Sequence, residues 1–299
     1  MSEPFEGVFA VIPTPFRDDE ELDEQPLRRL LDDLVSQGVQ GIICNGSTGE
    51  VASLSPAERQ WVLETTVEQV AGRVPVLVGA SANATRDVIH YSRAAQAAGA
   101  VGVMIVHPWY CLPGERELEA HYRDIAQAID IPIMIYNNPW TTGVDMKPEQ
   151  LARVAEAEPN IRYVKESSGD AARVGQILEA TDKLTVFCGW DNLALEHFVG
   201  GARGWVAGSA NVIPAECVAL CQAALRDDWV EARRLYRQIY SMLTLVETSG
   251  QFIQLVKAGL AERGLPVGPP RRPLLMPDAA RREELRGLLD RVRGAAALV

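Results

Sequence analysis

Lysine, histidine and paired cysteines are all scarce in this chain of 299 residues. Its five cysteines, Cys44, Cys111, Cys188, Cys217 and Cys221, are odd in number and scattered without a C-x-x-C pair. Neither a disulfide framework nor a zinc knuckle is therefore expected, and Cys217 and Cys221, on one helix face, read as core packing. The four histidines, His90, His107, His121 and His197, show no paired metal spacing, so no metal site is expected, and His107 reads as loop support. Aromatic residues make up only 6% against 47% hydrophobic residues in all, which calls for a largely aliphatic core. Basic residues are fewer than acidic ones, 29 against 40, and the net charge of −11 repels nucleic acid and anionic membrane surfaces. The longest apolar stretch, around residues 97–106, is too short to span a bilayer, and Met1 to Glu6 contain no basic or apolar leader, so the cytosol is the expected location.

What the chain does have is a repeated unit. Short β-branched or apolar runs recur at residues 8–12, 39–44, 76–79, 101–106, 131–136, 161–165, 184–188 and 204–207. Segments of helical spacing separate them, such as Leu27-Leu30-Leu31-Leu34 and Leu118-His121-Tyr122-Ile125, several opened by start signals like Ser55-Pro56-Ala57-Glu58 or Lys147-Pro148-Glu149. A mean step of about 28 residues from strand to strand leaves room for one returning helix, which makes the strands parallel. Their continuous apolar character fits a sheet covered on both faces. Eight units in succession predict a closed (β/α)8 TIM barrel; an open dinucleotide-binding sheet would need G-x-G-x-x-G after the first strand, where the chain has Ile12-Pro13-Thr14-Pro15-Phe16. After about residue 227 the strand pattern stops and three helical segments follow. The expected division is a barrel carrying the active site over residues 1–227 and a C-terminal helical extension over residues 228–299.

In such barrels the chemistry sits at the C-terminal strand ends. Those places hold Asn45-Gly46-Ser47-Thr48-Gly49-Glu50, Ser81-Ala82-Asn83, His107-Pro108-Trp109-Tyr110, Tyr136-Asn137-Asn138-Pro139, Lys165-Glu166-Ser167-Ser168, Gly189-Trp190-Asp191-Asn192 and Gly208-Ser209-Ala210-Asn211. Of the four lysines, Lys147, Lys183 and Lys257 read as solvated, and Lys165 alone ends an apolar strand. A free lysine is only ~0.04% neutral at pH 7, so it attacks a carbonyl only where burial or nearby charge favours the amine. The alternative is a structural lysine paired with Glu166 or Asp191. Tyr136 ends the preceding strand, within reach of Lys165, as a proton shuttle or as a packing residue. The Gly46–Glu50 turn offers backbone N–H groups and two hydroxyls to a carboxylate, with Glu50 holding the loop. Trp109, Trp140 and Trp190 fall in the same loops.

Taken together, Gly46-Ser47-Thr48-Gly49-Glu50, Tyr136-Asn137-x-Pro139, Lys165-Glu166-Ser167-Ser168-Gly169-Asp170 and Gly208-Ser209-Ala210-Asn211 resemble, in order and spacing, the dihydrodipicolinate synthase and N-acetylneuraminate lyase family of Schiff-base lyases. The resemblance spans nearly the whole chain. It implies a tetramer built from dimers and a lysine imine in place of any cofactor. It also implies Lys165 as the nucleophile toward a 2-keto acid, Tyr136 as the proton shuttle, and Tyr110 reaching into a neighbouring subunit's site to complete a relay with Tyr136 and Ser47. Ser47 and Thr48 would hold the keto-acid carboxylate, and Gly49 would bind substrate beside them. Ser167, Asp191, Val206, Ser209 and Thr141 would line the substrate site, with Asp191 contacting sugar hydroxyls.

Thr141 stands where dihydrodipicolinate synthases carry the Arg that binds the second substrate's carboxylate, and a hydroxyl replaces neither its charge nor its fork. The expected activity is therefore a class I aldolase or dehydratase acting on pyruvate and an aldehyde, or on a 2-keto-3-deoxy sugar acid. The alternatives are 4-hydroxy-tetrahydrodipicolinate synthase, with a distant arginine as the clamp, and a non-catalytic binder of keto acids.

Overall fold

Eight parallel strands close into a barrel in the computed structural model, which describes residues 5–296. They are β1 (Gly7–Val11), β2 (Gly41–Cys44), β3 (Val76–Gly79), β4 (Gly102–Val106), β5 (Ile133–Asn137), β6 (Ile161–Glu166), β7 (Thr185–Cys188) and β8 (Gly204–Ala207). Each pairs with its sequence neighbour, and β8 returns to β1 through Phe9↔Val206. The TIM barrel read from the strand spacing is the fold found. Strand starts differ from the apolar runs by up to two residues. At β5 the cause is Pro132, which has no N–H for the ladder.

Alternation along each strand sorts the core into two layers. Phe9, Val11, Met134, Tyr136, Tyr163, Phe187 and Val206 point into the barrel. Val8, Ala10, Ile135 and Val164 pack outward against the helices. Phe9, Tyr163 and Phe187 meet edge to face near one end, with ring centroids 5.4 and 6.0 Å apart, and Phe5 stacks on Tyr163. Each such buried side chain contributes about 1.5–3 kcal/mol. This plug leaves the strands' C-terminal ends as the open mouth.

The helix starts follow their local chemistry. Ser55 and Glu58 form the capping box of the Pro56–Val70 helix, each accepting from the other's backbone N–H. Cys217 and Cys221 are buried in the Pro214–Leu225 helix, as their shared face predicts. Past the barrel come the helices Trp229–Thr248, Phe252–Glu262 and Ala279–Ala296. Among the described residues, no helix is long and apolar enough to cross a membrane.

One lysine is placed differently from its expected setting. Lys257 is not solvated: its side chain is fully buried and paired 2.7 Å from Glu50, and its Nζ also donates to Pro269 O at 2.9 Å. Helical spacing does not show which face of a C-terminal helix meets the barrel, and here that face lies over Phe16, 4.5 Å from Nζ. Arg271 reaches the same region, donating through its backbone N–H to Glu50 and through its guanidinium to Glu58. The extension is thus bolted onto the loop after β2.

Candidate active site

Tyr136 and Lys165 are register partners on β5 and β6, so their side chains leave the sheet on the same inward face. Lys165 Nζ lies 3.8 Å from the centroid of the Tyr136 ring, and Lys165 is only 5% exposed. Pairing with Glu166 or Asp191, the alternative reading of this lysine, does not occur: among the described residues no carboxylate lies within 4.0 Å of Nζ. Glu166 instead accepts from Ser168 N and Asn137 Nδ2. Tyr136 Oη accepts a 2.8 Å hydrogen bond from Asn138 Nδ2, which fixes the phenol's direction.

A cavity of about 620 Å³ opens over this pair, bordered by Ser47, Thr48, Asn138, Thr141, Ser167, Asp191 and Val206. Trp140, Trp190, Phe252 and Ile253 add apolar walls, with the two indole rings 5.8 Å apart. In the turn after β2, the N–H groups of Gly49 and Glu50 are spent on Gly46 O and Ser47 O, both at 3.0 Å. Those of Ser47 and Thr48 donate to no protein acceptor among the described residues, so two amides and two hydroxyls are available to an anion. Glu50 holds this turn through Lys257 while itself in a left-handed conformation (φ 56°), a strain that the buried pair offsets.

Several residues expected to bind substrate are engaged by partners within the protein. Gly49 lies outside the cavity lining, with its N–H on Gly46 O and its own carbonyl accepting from Thr14. Ser209 is fully buried, and its Oγ donates to Asp191. Asp191 borders the cavity, but Trp205 Nε1 donates to its Oδ1 and Ser209 N and Oγ donate to its Oδ2. Its oxygens serve the protein's own donors rather than standing free for sugar hydroxyls, because the loop after β8 folds back across the end of β7. Ser167 borders the cavity while its Oγ donates to Gly189 O. Tyr110 lies away from the pair, 88% exposed on the loop after β4. His107 is buried and linked to Tyr122 Oη and Asn137 Oδ1, a brace between strand ends, and burial pushes it down to about 4.

Sequence reasoning missed Asn138, Glu247, Phe252 and Ile253. Asn138 is the x of Tyr-Asn-x-Pro and carries no pattern of its own. Glu247 had one signal: it follows Leu243 by four residues, on the apolar stripe of the Trp229–Thr248 helix. A second hollow of about 430 Å³ shares Ser47, Thr141 and Ile253 with the first and is bordered by Glu50, Trp109, Arg271 and Arg272.

Known proteins resemble this chain over nearly its whole length. The family model of the dihydrodipicolinate synthetase family matches residues 4–292. The 4-hydroxy-tetrahydrodipicolinate synthase of Methanosphaerula palustris is 39% identical over 290 residues, covering 96% of this chain and 99% of that one. The 4-hydroxy-tetrahydrodipicolinate synthase structure from Methylacidiphilum fumariolicum superimposes with a TM-score of 0.93 at 31% identity, covering 98% of each chain. The dihydrodipicolinate synthase of Acinetobacter baumannii, solved with pyruvate, gives 0.91 at 32%, over 96% of this chain and 99% of that one. With a closed barrel, a buried strand-end lysine and matches of this extent, the chain belongs to the dihydrodipicolinate synthetase family and is a lyase of the Schiff-base type.

Proposed function

We propose that the protein makes or breaks the bond between pyruvate and an uncharged aldehyde, or dehydrates a 2-keto-3-deoxy sugar acid, through an imine on Lys165. The observation that carries this reading is the 3.8 Å approach of an unpaired, buried lysine to Tyr136 within a cavity that has Thr141 in place of a cation. The Lys165 amine attacks the keto carbon, and loss of water from the carbinolamine gives a protonated imine. That imine draws electrons from C2, so the electrons at C3 delocalise as an enamine, and a bond at C3 forms or breaks. Tyr136, oriented by Asn138, carries the protons that this sequence moves. The free Ser47 and Thr48 N–H groups and hydroxyls suit the keto-acid carboxylate. Val206 and Ser167 close the wall beside it.

Assembly is part of the same proposal. Tyr110 and Leu112, 88% and 59% exposed, form an apolar projection on the loop after β4. We place it against a neighbouring subunit, within a homotetramer, where Tyr110 reaches the partner's proton relay.

Trapping with pyruvate and borohydride, followed by mass spectrometry, tests the nucleophile: a reduced adduct is expected on Lys165 and on no other lysine. An unlabelled Lys165 overturns the proposal. Tyr136→Phe should leave the residue labelled but lower turnover by about 10²–10⁴-fold.

A second reading, 4-hydroxy-tetrahydrodipicolinate synthase, is favoured by one observation. Arg271 and Arg272 border the adjoining hollow, whose wall Thr141 also lines. Arg271 is already committed to Glu58, whereas the Arg272 side chain is 82% exposed. Turnover of aspartate semialdehyde with pyruvate, lost in Arg272→Ala, would select this reading over the first.

A further inference from the structure

One carboxyl at the cavity has no part in the imine chemistry. Glu247, from the helix Trp229–Thr248, shares the lining with Lys165, Thr141 and Trp190. Its Oε2 accepts a 2.8 Å hydrogen bond from the backbone N–H of Asp191, and no protein donor among the described residues reaches Oε1. The titratable groups facing it from the packed elements are Asp191 on the loop after β7, Lys165 on β6 and Cys188 on β7. A half-buried carboxyl this close to the fully buried Asp191 does not ionise cheaply beside it. Asp191 receives three donors, from Trp205 and Ser209, which favour its anion, so the shared proton falls to Glu247.

We propose that Glu247 determines specificity in the acceptor half of the site: held through Oε2 by Asp191, it donates a hydrogen bond from Oε1 to a carbonyl or hydroxyl oxygen of an uncharged, hydroxylated acceptor. It does by hydrogen bonding what an arginine at position 141 would do by charge. The inference rests on the Schiff-base reading above and adds the chemistry of the second substrate. Burial and then Asp191 push Glu247 up to about 8, with Lys165 pulling against them, so the donor is present at neutral pH and lost as pH rises through 8.

The test is the KM for glyceraldehyde at saturating pyruvate between pH 6.5 and 9.5, with borohydride labelling of Lys165 by pyruvate alone run in parallel. In the unmodified protein KM should rise about tenfold across that range, equivalent to one hydrogen bond of about 1.4 kcal/mol. Glu247→Gln keeps an oxygen for Asp191 N–H and a donor that does not titrate. Its KM should stay within about threefold of the neutral-pH value at every pH. Glu247→Ala should show the raised KM throughout while labelling of Lys165 is unchanged. A pH-dependent rise that survives in Glu247→Gln, an unaltered KM in Glu247→Ala, or no condensation with glyceraldehyde while Lys165 still labels overturns the role of Glu247. Failure of Lys165 to label in the unmodified protein overturns the underlying reading instead.

Discussion

Removing Lys257 should damage both stability and substrate binding, although it lies outside the cavity. Its ammonium and the Glu50 carboxylate are 2.7 Å apart, with side chains 0% and 2% exposed, and Nζ has a further acceptor in Pro269 O. Lys257→Met fills the volume but leaves the Glu50 charge buried without its partner, which costs about 3–5 kcal/mol. With an unfolding entropy of about 2.1 cal/mol/K per residue over 299 residues, that loss lowers Tm by about 5–8 °C. Pairing Lys257→Met with Glu50→Gln removes both charges, and stability should return to within about 2 kcal/mol of the parent. Urea unfolding of the parent, both single variants and the double variant closes the cycle. A second consequence follows from Glu50 being the last residue of the Ser47–Thr48 turn: each single variant should raise the KM for pyruvate more than it lowers kcat. The reasoning is refuted if Lys257→Met loses less than about 1 kcal/mol, or if the double variant loses the sum of the single effects.

Two other perturbations probe the site and its attachment. Gly189 lies so close to Lys165 that a Cβ there would touch Ser167 Oγ and sit 2.6 Å from Lys165 Cγ. Gly189→Ala should therefore slow borohydride labelling of Lys165 at least tenfold and cost about 1–3 kcal/mol, and normal labelling would show that the lysine has room to move. Glu58 is gripped by Arg271, whose hydrogen bonds hold its carboxyl down to about 2. A depressed folded-state value stabilises the fold above the usual carboxylate range and ceases to do so as pH falls through about 4.5 toward 2. The parent and Glu58→Gln should thus differ in unfolding free energy at pH 7 and converge near pH 2; a constant gap would assign the effect to packing.

The sequence by itself determined the barrel and the lone lysine that ends one of its apolar strands. Continuous apolar runs repeated at one strand-plus-helix spacing have few ways to bury both sheet faces, and closure in sequence order is the simplest. The same alternation that puts Tyr163 inside puts Lys165 inside two residues later, so a lone lysine ending an apolar strand was legible as a buried one. The sequence also carried the absence of an arginine clamp at Thr141, because a missing charge needs no geometry to be read.

Only the tertiary structure decided which polar groups at the mouth are free. Asp191 and Ser209 look like ligand residues in the chain, yet they hydrogen-bond to each other because the loops after β7 and β8 meet. Lys257 and Glu247 look like ordinary helix residues until the extension packs back on the barrel, burying Lys257 and bringing Glu247 to the cavity wall. Local pattern records a segment's own faces and caps. Hydrogen-bond satisfaction and desolvation depend on what arrives from fifty or two hundred residues away, and they become readable only when the chain has closed.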